Sequence, residues 1–419
     1  MSECKLSNAE KRENRRAIRA LHRSIQENDV KQVREKLECL AVDVNFHYGG
    51  QTALQIAVIN GFTEICRCLI DHGADINKYN ADENSLVNMA AWRGHEDVVK
   101  LLCYHDAELD VCNNHGSTAL NSACYKGYAG IAKALIDAGC VVNKPNLNGQ
   151  TPLFTSVKEN HMEVVKVLLD SGECALDRRD NDRRSPLYVA VERGYLDLVE
   201  LLLQAGADVN TQEKYATSPL LYAAKVGRHD LVKCLLNGAA DINLPDSRKH
   251  TPFWEAVNAR DIELIQYLAD AGCDVNIMER ENGQSPMYTA VRQACQYFMG
   301  FEDHLAIVRL LLSLGASVND PDKFGWTCLS QSAFTGECTL TNLLLDAGAK
   351  VDVQSDSGDT PLHYSVYGNK PEIVARLLEE GSDVNALNKN NELPLYKAID
   401  TRSDIKVRIN KEYVVELLI

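Results

Sequence analysis

The chain reads as an all-α solenoid of helix-turn-helix units with projecting β-turns, about twelve repeats long, and three observations predict it. First, one helix-opening phrase keeps returning. Its clearest copies are Thr151-Pro152-Leu153, Ser185-Pro186-Leu187, Ser218-Pro219-Leu220, Thr251-Pro252-Phe253 and Thr360-Pro361-Leu362. Variants begin at Thr52, Ser85, Thr118, Ser285, Thr327 and Leu393, so the step is 33 residues, with 34 twice and 42 once. Second, glycines punctuate most units at two fixed offsets, as Gly194 and Gly206 do after Ser185. Third, units close on Asp-Val/Ile-Asn, as at Asp75-Ile76-Asn77, Asp208-Val209-Asn210, Asp241-Ile242-Asn243, Asp274-Val275-Asn276 and Asp383-Val384-Asn385.

Residues 1–13 read as a polar tail, followed by a single array over 14–419. The first unit, near 14–50, lacks the opening phrase. It still predicts paired helices over about 14–28 and 30–40, with Ile18, Leu21 and Ile25 at helical spacing. Its polar outer face suits an amino-terminal cap, which a solenoid needs to cover its first core face. The basic run Lys11, Arg12, Arg15, Arg16, Arg19 and Arg23 is either the solvated side of this helix or a nuclear-import signal.

The next units fall near 51–83, 84–116, 117–149, 150–183, 184–216, 217–249 and 250–283. In each, a Ser or Thr hydroxyl caps the free N–H groups of the first helix, and proline suits the first helical turn because it lacks an N–H. The unit from Ser185 shows the logic. Leu187, Ala190 and Val191 form a short apolar face, Gly194 breaks the helix, and a second helix runs through Leu198, Val199 and Leu202 to Gly206. Asp106 and Ala239 occupy that last glycine slot in two units, where the turn either shifts or holds a strained residue.

The unit near 284–325 carries nine extra residues, expected in its helix–helix loop at 292–303. Regular units follow near 326–358 and 359–391, and an incomplete one near 392–419 has a second insertion at 400–412. The last residues, from Val414 to Ile419, lie inside a second helix whose stop signal does not arrive. The reading is that another module follows Ile419 or that the chain is a fragment.

Composition narrows the function. Net charge is −15, so nucleic acid and anionic membranes are poor partners. No stretch approaches the ~18 apolar residues that would cross a bilayer. The fourteen cysteines follow the repeat rather than a disulfide or zinc grammar, which predicts small buried residues in a reducing compartment, cytoplasmic with the nucleus as the alternative.

The whole template, from Thr/Ser-Pro-Leu through the two glycines to Asp-Val-Asn, resembles the ankyrin repeat family across nearly the whole chain. That resemblance implies paired antiparallel helices with a β-turn between units. It also implies partner binding through the concave face, on the exposed first helices, and through the turn tips. Two aromatic groups are candidates by residue type. Trp92, Arg93, Tyr125 and Lys126 stand in adjacent units, and Phe334 and Tyr367 stand near the other end with turn-tip Phe324 and Trp326. Each group either meets a partner or packs on its own neighbouring turns.

The turn holding Arg178, Arg179, Arg183 and Arg184 would receive an acidic peptide or a phosphate, or would neutralise itself through Asp177, Asp180 and Asp182. Tyr297, Phe298 and Phe301, in the first insertion, either anchor a partner or fold back. Phe154, Tyr188, Trp254, Tyr288 and Tyr396 follow the opening phrase, where the family usually has the histidine kept here as His363, and they read as core between units. Asn210, Asn276 and Asn385 resemble sites of oxygen-dependent asparaginyl hydroxylation in other ankyrin proteins, although their structural job already explains the phrase.

No phosphate loop, dinucleotide fingerprint, HExxH helix or nucleophile elbow is present, and no catalytic, cofactor or metal residue is assigned. The expectation is a non-enzymatic, monomeric scaffold or adaptor without cofactor that binds proteins or peptides. The alternatives are the substrate-receptor arm of a cullin-type ubiquitin ligase with a SOCS box beyond residue 419, or the regulatory domain of a larger enzyme or channel.

Overall fold

The computed structural model describes residues 8–39, 43–296, 301–399 and 414–419. Among them the chain is helical, with two isolated β-bridges, Tyr48 to Gln51 and Tyr79 to Ser85. Two compact units divide it, Met1–Lys214 and Tyr215–Ile419. The first holds the helix pairs Asn8–Gln26/Val30–Cys39, Ala53–Asn60/Thr63–Asp71, Leu86–Arg93/Glu96–Tyr104, Ala119–Lys126/Ala129–Asp137, Pro152–Lys158/Met162–Asp170 and Pro186–Arg193/Leu196–Gln204. The second holds Pro219–Lys225/His229–Asn237, Pro252–Ala259/Ile262–Asp270, Pro286–Gln296/Phe301–Ser313, Cys328–Thr335/Cys338–Asp346, Pro361–Tyr367/Pro371–Glu379 and then Pro394–Ile399. This is the all-α hairpin solenoid read from the sequence. Its first helix begins at Asn8, inside the segment expected to be tail.

The opening phrase works as a cap. Thr52, Ser85, Thr118, Thr151 and Ser185 each accept a backbone N–H three residues ahead at 3.1–3.2 Å. Each such cap contributes about 1 kcal/mol. The leucine behind it goes to the core: Leu54, Leu86, Leu120, Leu153 and Leu187 are essentially inaccessible. On the second helices one apolar stripe is buried, as with Leu198, Val199 and Leu202, while Leu196, Leu201 and Leu203 are half-buried. Each fully buried leucine contributes roughly 1.5–3 kcal/mol.

The aromatic stripe is core at four of its five positions. Phe154, Tyr188, Trp254 and Tyr288 are buried, whereas Tyr396 is exposed. His363 bridges repeats, with Nδ1 against Thr360 Oγ1 at 2.9 Å and Nε2 against the Glu392 carbonyl at 3.2 Å. The histidines at the mid-repeat turn do related work. His95 Nε2 meets the Ile59 carbonyl at 2.9 Å and His161 Nε2 the Tyr125 carbonyl at 3.0 Å, each reaching back one repeat.

The glycine-slot exceptions keep the glycine conformation. Asp106 has φ 58° and Ala239 φ 62°, while Gly238 before it is right-handed at φ −80°. The turn therefore does not shift to Gly238; two hydrogen bonds, Ala239 N to the Leu236 carbonyl and Ala240 N to the Leu235 carbonyl, both 3.0 Å, hold the bend where the other repeats have it.

The first insertion departs from the loop expected. Its residues lengthen both helices, to Pro286–Gln296 and Phe301–Ser313. The reason is burial: Gln293, Ala294, Cys295, His304 and Leu305 are all under a tenth exposed, and Gln293 Nε2 donates to the Asn258 carbonyl of the preceding repeat at 3.1 Å. The second insertion, 400–412, lies outside the described residues.

Between helix pairs the chain makes tight tips, most of them organised by one side chain. Asn80 Oδ1 accepts the N–H groups of Asp82 and Asn84, two and four residues ahead. Asn113, Asn146, Asp180, Asp246, Asp322 and Asn388 repeat the device. Successive tips are stitched by main-chain bonds: Asn114 N to Asp82 O, Leu147 N to His115 O, Asn181 N to Asn148 O and Lys214 N to Asp182 O. In the second unit, Ser247 N to Tyr215 O, Arg280 N to Arg248 O, Lys323 N to Asn282 O, Asp356 N to Phe324 O and Lys389 N to Ser357 O continue the pattern.

Candidate functional site

The last turn of each first helix leaves two residues facing out, because the buried positions are used up before the glycine. In the first unit this places Trp92 and Tyr125 one repeat apart. Their rings stack with centroids 5.5 Å apart and planes 7° from parallel. Each remains 45% exposed, so the stack is a surface rather than core. Lys126 lays its ammonium 4.2 Å from the Trp92 ring centre and 5.6 Å from that of Tyr125. The ring pair contributes about 0.5–1.5 kcal/mol beyond its area, and an exposed cation over a ring about 0.5–1 kcal/mol. The platform is thus preformed.

Trp92 is the wall between two grooves. The larger, about 500 Å³, is lined by the apolar Ile59, Met89 and Trp92 and by tip residues including Asn80, Asp82 and Asn113, with Arg93 at its side. The smaller, about 250 Å³, runs between Trp92 and Tyr125 over Asn121 and Thr155 to Lys158 and Glu159. The Asn-rich tips were not singled out from the sequence, although their recurrence every 33 residues at Asn80, Asn113 and Asn146 was readable there.

The second aromatic group also comes together. Phe334 stacks on Tyr367 at 6.0 Å and 15°, the same register as the first pair. Trp326 packs edge-on to Phe334 at 5.7 Å and against Tyr364 at 4.1 Å, so it is half-buried. Phe324, under Lys323 at 5.0 Å, is 54% exposed and Tyr367 67%.

The basic turn divides. Arg184 is held by Asp180 at 2.8 Å, with Asp182 and Glu192 each at 3.5 Å, and Asp180 is buried. Arg179 donates to the Gln212 carbonyl at 3.3 Å, while Arg178 and Arg183 are exposed. Tyr297 and Phe298 lie outside the described residues, and Phe301 is half-buried at the start of its helix.

Several titratable groups are committed to structure. Burial pushes the thiols of Cys66, Cys140, Cys174 and Cys273 up to about 12, the wrong direction for a thiolate nucleophile. His250 stacks flat on Trp254 at 4.0 Å and lies 3.5 Å from Asp246 and 3.7 Å from Glu255, a buried carboxyl that desolvation pushes up. Among the described residues, no group of three or more His, Cys, Asp or Glu could hold a metal, and no helix is long and apolar enough to cross a membrane. The Asp-Val-Asn asparagines are also structural: Asn276 Oδ1 accepts Ser317 N of the next repeat at 2.8 Å.

A search of curated proteins finds no match. Among solved structures, the crystal structure of the ankyrin repeat domain of Bcl-3, described as a unique member of the IkappaB protein family, is similar. It is 31% identical, its match covers 53% of this chain and 99% of that one, and the TM-score is 0.50. The family model for ankyrin repeats in sets of three copies matches residues 4–80, 78–146, 139–213, 220–322 and 329–418. Ankyrin repeats are generally protein-interaction modules, and with matches along nearly its whole length this chain belongs to the ankyrin repeat family.

Proposed function

We propose that the protein is a non-enzymatic interaction scaffold that holds partner proteins or peptides on the exposed first helices and tips of its repeats. The observation that carries this is the Trp92–Tyr125 platform: two large rings, stacked, nearly half exposed and flanked by grooves. Burying such rings is what concentrates binding energy, and a rigid surface loses little entropy in doing so. Phe334 and Tyr367 supply a second platform of the same register in the second unit.

The test is affinity capture of partners with the full chain and with a Trp92→Ala/Tyr125→Ala variant, paired with a photo-crosslinker at position 92 or at Tyr104, which is 80% exposed. Loss of these anchors costs about 2 kcal/mol or more, roughly 30-fold. Crosslinks should form from position 92 and not from 104. A double variant that keeps every partner at wild-type affinity removes this surface from the reading.

A further inference from the structure

The chemistry around the platform specifies an occupant. Arg93, Lys126 and Lys158 stand on three consecutive repeats along one face. The chain is acidic overall, and some exposed lysines pair within their own helix, as Lys100 does with Glu96 at 2.6 Å and Lys133 with Asp137 at 3.3 Å. Among the described residues, Arg93, Lys126 and Lys158 make no such ion pair. The carboxylates lining the grooves are Asp82, in a tip whose carbonyl accepts Asn114 N, and Glu159, just past the end of its helix. Against them stand Arg93 and Lys158 on the lining and Lys126 over the Trp92 ring, so the charged groups beside the stacked rings are mostly cationic.

The floor of the smaller groove departs from the repeat pattern. One repeat earlier, Asn88 Oδ1 accepts the Ser122 hydroxyl at 2.6 Å, closing an inter-repeat bond. The equivalent residues 33 positions on are Asn121 and Thr155. Asn121 spends its amide on the Lys144 carbonyl at 3.0 Å, and its Oδ1 has no partner; neither does Thr155 Oγ1. Both residues are more than nine-tenths buried and both line this groove. Leaving such atoms unsatisfied costs roughly 1–3 kcal/mol each.

We propose that this face docks an extended acidic peptide segment of a partner protein. An apolar side chain enters between Ile59 and Trp92, and carboxylates meet Arg93, Lys126 and Lys158. The assignment rests on the interaction reading above and adds the partner's chemistry to it.

A random peptide library displayed on phage and panned on the full chain tests both, with the Trp92→Ala/Tyr125→Ala variant used to discard peptides that bind elsewhere. The peptides that depend on Trp92 should carry net negative charge and an apolar residue. Their affinity should fall about tenfold on Lys126→Glu/Lys158→Glu, with circular dichroism confirming that the variant folds. A Trp92-dependent pool that is neutral or basic, or that ignores the charge reversal, overturns the acidic-partner assignment while leaving the platform standing. Absence of any Trp92-dependent peptide overturns both.

Discussion

Replacing Ala239 by glycine should stabilise the second unit. The residue sits at φ 62°, where Cβ meets its own backbone, and two hydrogen bonds hold it there. The left-handed conformation costs alanine about 1–2 kcal/mol. Glycine adopts it freely but has more freedom to lose on folding, about 0.4–1 kcal/mol. The net gain is roughly 0.5–1 kcal/mol. The space around this slot adds no further term, because in eight other repeats the equivalent glycines, Gly73, Gly139, Gly172, Gly206, Gly272, Gly315, Gly348 and Gly381, would place a Cβ with nothing within 4 Å. A long repeat array need not unfold in one step, so a local readout is the right one. Hydrogen exchange followed by mass spectrometry on peptides covering 229–245 should slow by about 2- to 5-fold. Gly206→Ala, at φ 91°, should accelerate exchange at its own turn by a similar factor. Unchanged or faster exchange in Ala239→Gly would refute the argument that the bend is strained.

The other slot behaves differently. Gly94→Ala puts its Cβ 2.9 Å from the Tyr128 ring, so overpacking of about 1–3 kcal/mol adds to the backbone cost; a loss no larger than that of Gly206→Ala in urea titrations would contradict this. Phe253 is fully buried, and Phe253→Ala should cost about 3–5 kcal/mol, read as early unfolding of the second unit; a loss under ~1 kcal/mol would disprove its place in the core. His229 reaches across one repeat to Asp261 at 2.6 Å, and that hydrogen bond holds its imidazole above the ordinary 6.5. The sign follows: the stabilisation is complete below 6.5 and is lost as pH rises through the raised folded value. His229→Gln should flatten that slope in exchange measurements around 229–264, and an identical slope would dismiss the link. Among the described cysteines, exposed Cys338 should react first with a thiol reagent, ahead of buried Cys66, Cys124 and Cys328, and simultaneous labelling in the native state would contradict the burial pattern.

Much of the architecture was legible because each repeat states its own boundaries. The opening Ser or Thr marks a cap, the glycines mark left-handed turns, and a period of 33 residues leaves room for two helices and a tip. The outward pair before the mid-repeat glycine was legible for the same reason, which is how Trp92 and Tyr125 were found. What the sequence hid depends on neighbours. Ala239 and Gly238 both fit the bend by composition, and only the register of the hydrogen bonds from Ala239 and Ala240 selects one. The extra residues of the first insertion looked like loop, yet Gln293, Cys295 and His304 are buried, so contact with adjoining helices turned loop into helix. The Trp92–Tyr125 stack had two readings in sequence; the rings pack on each other and leave nearly half their surface open. The orphaned pair Asn121 and Thr155 is invisible in sequence, because the homologous Asn88 and Ser122 close the same bond.

The stitched tips constrain how anything can be recognised there. At each step the amide that an incoming strand would need, such as that of Leu147, Asn181 or Asp356, is already spoken for by the preceding tip. Strand addition, which draws affinity from an open backbone edge, is shut out along this margin. Recognition at the tips then falls mainly to side chains, so their identities can be exchanged to change customers while the frame beneath stays as it is.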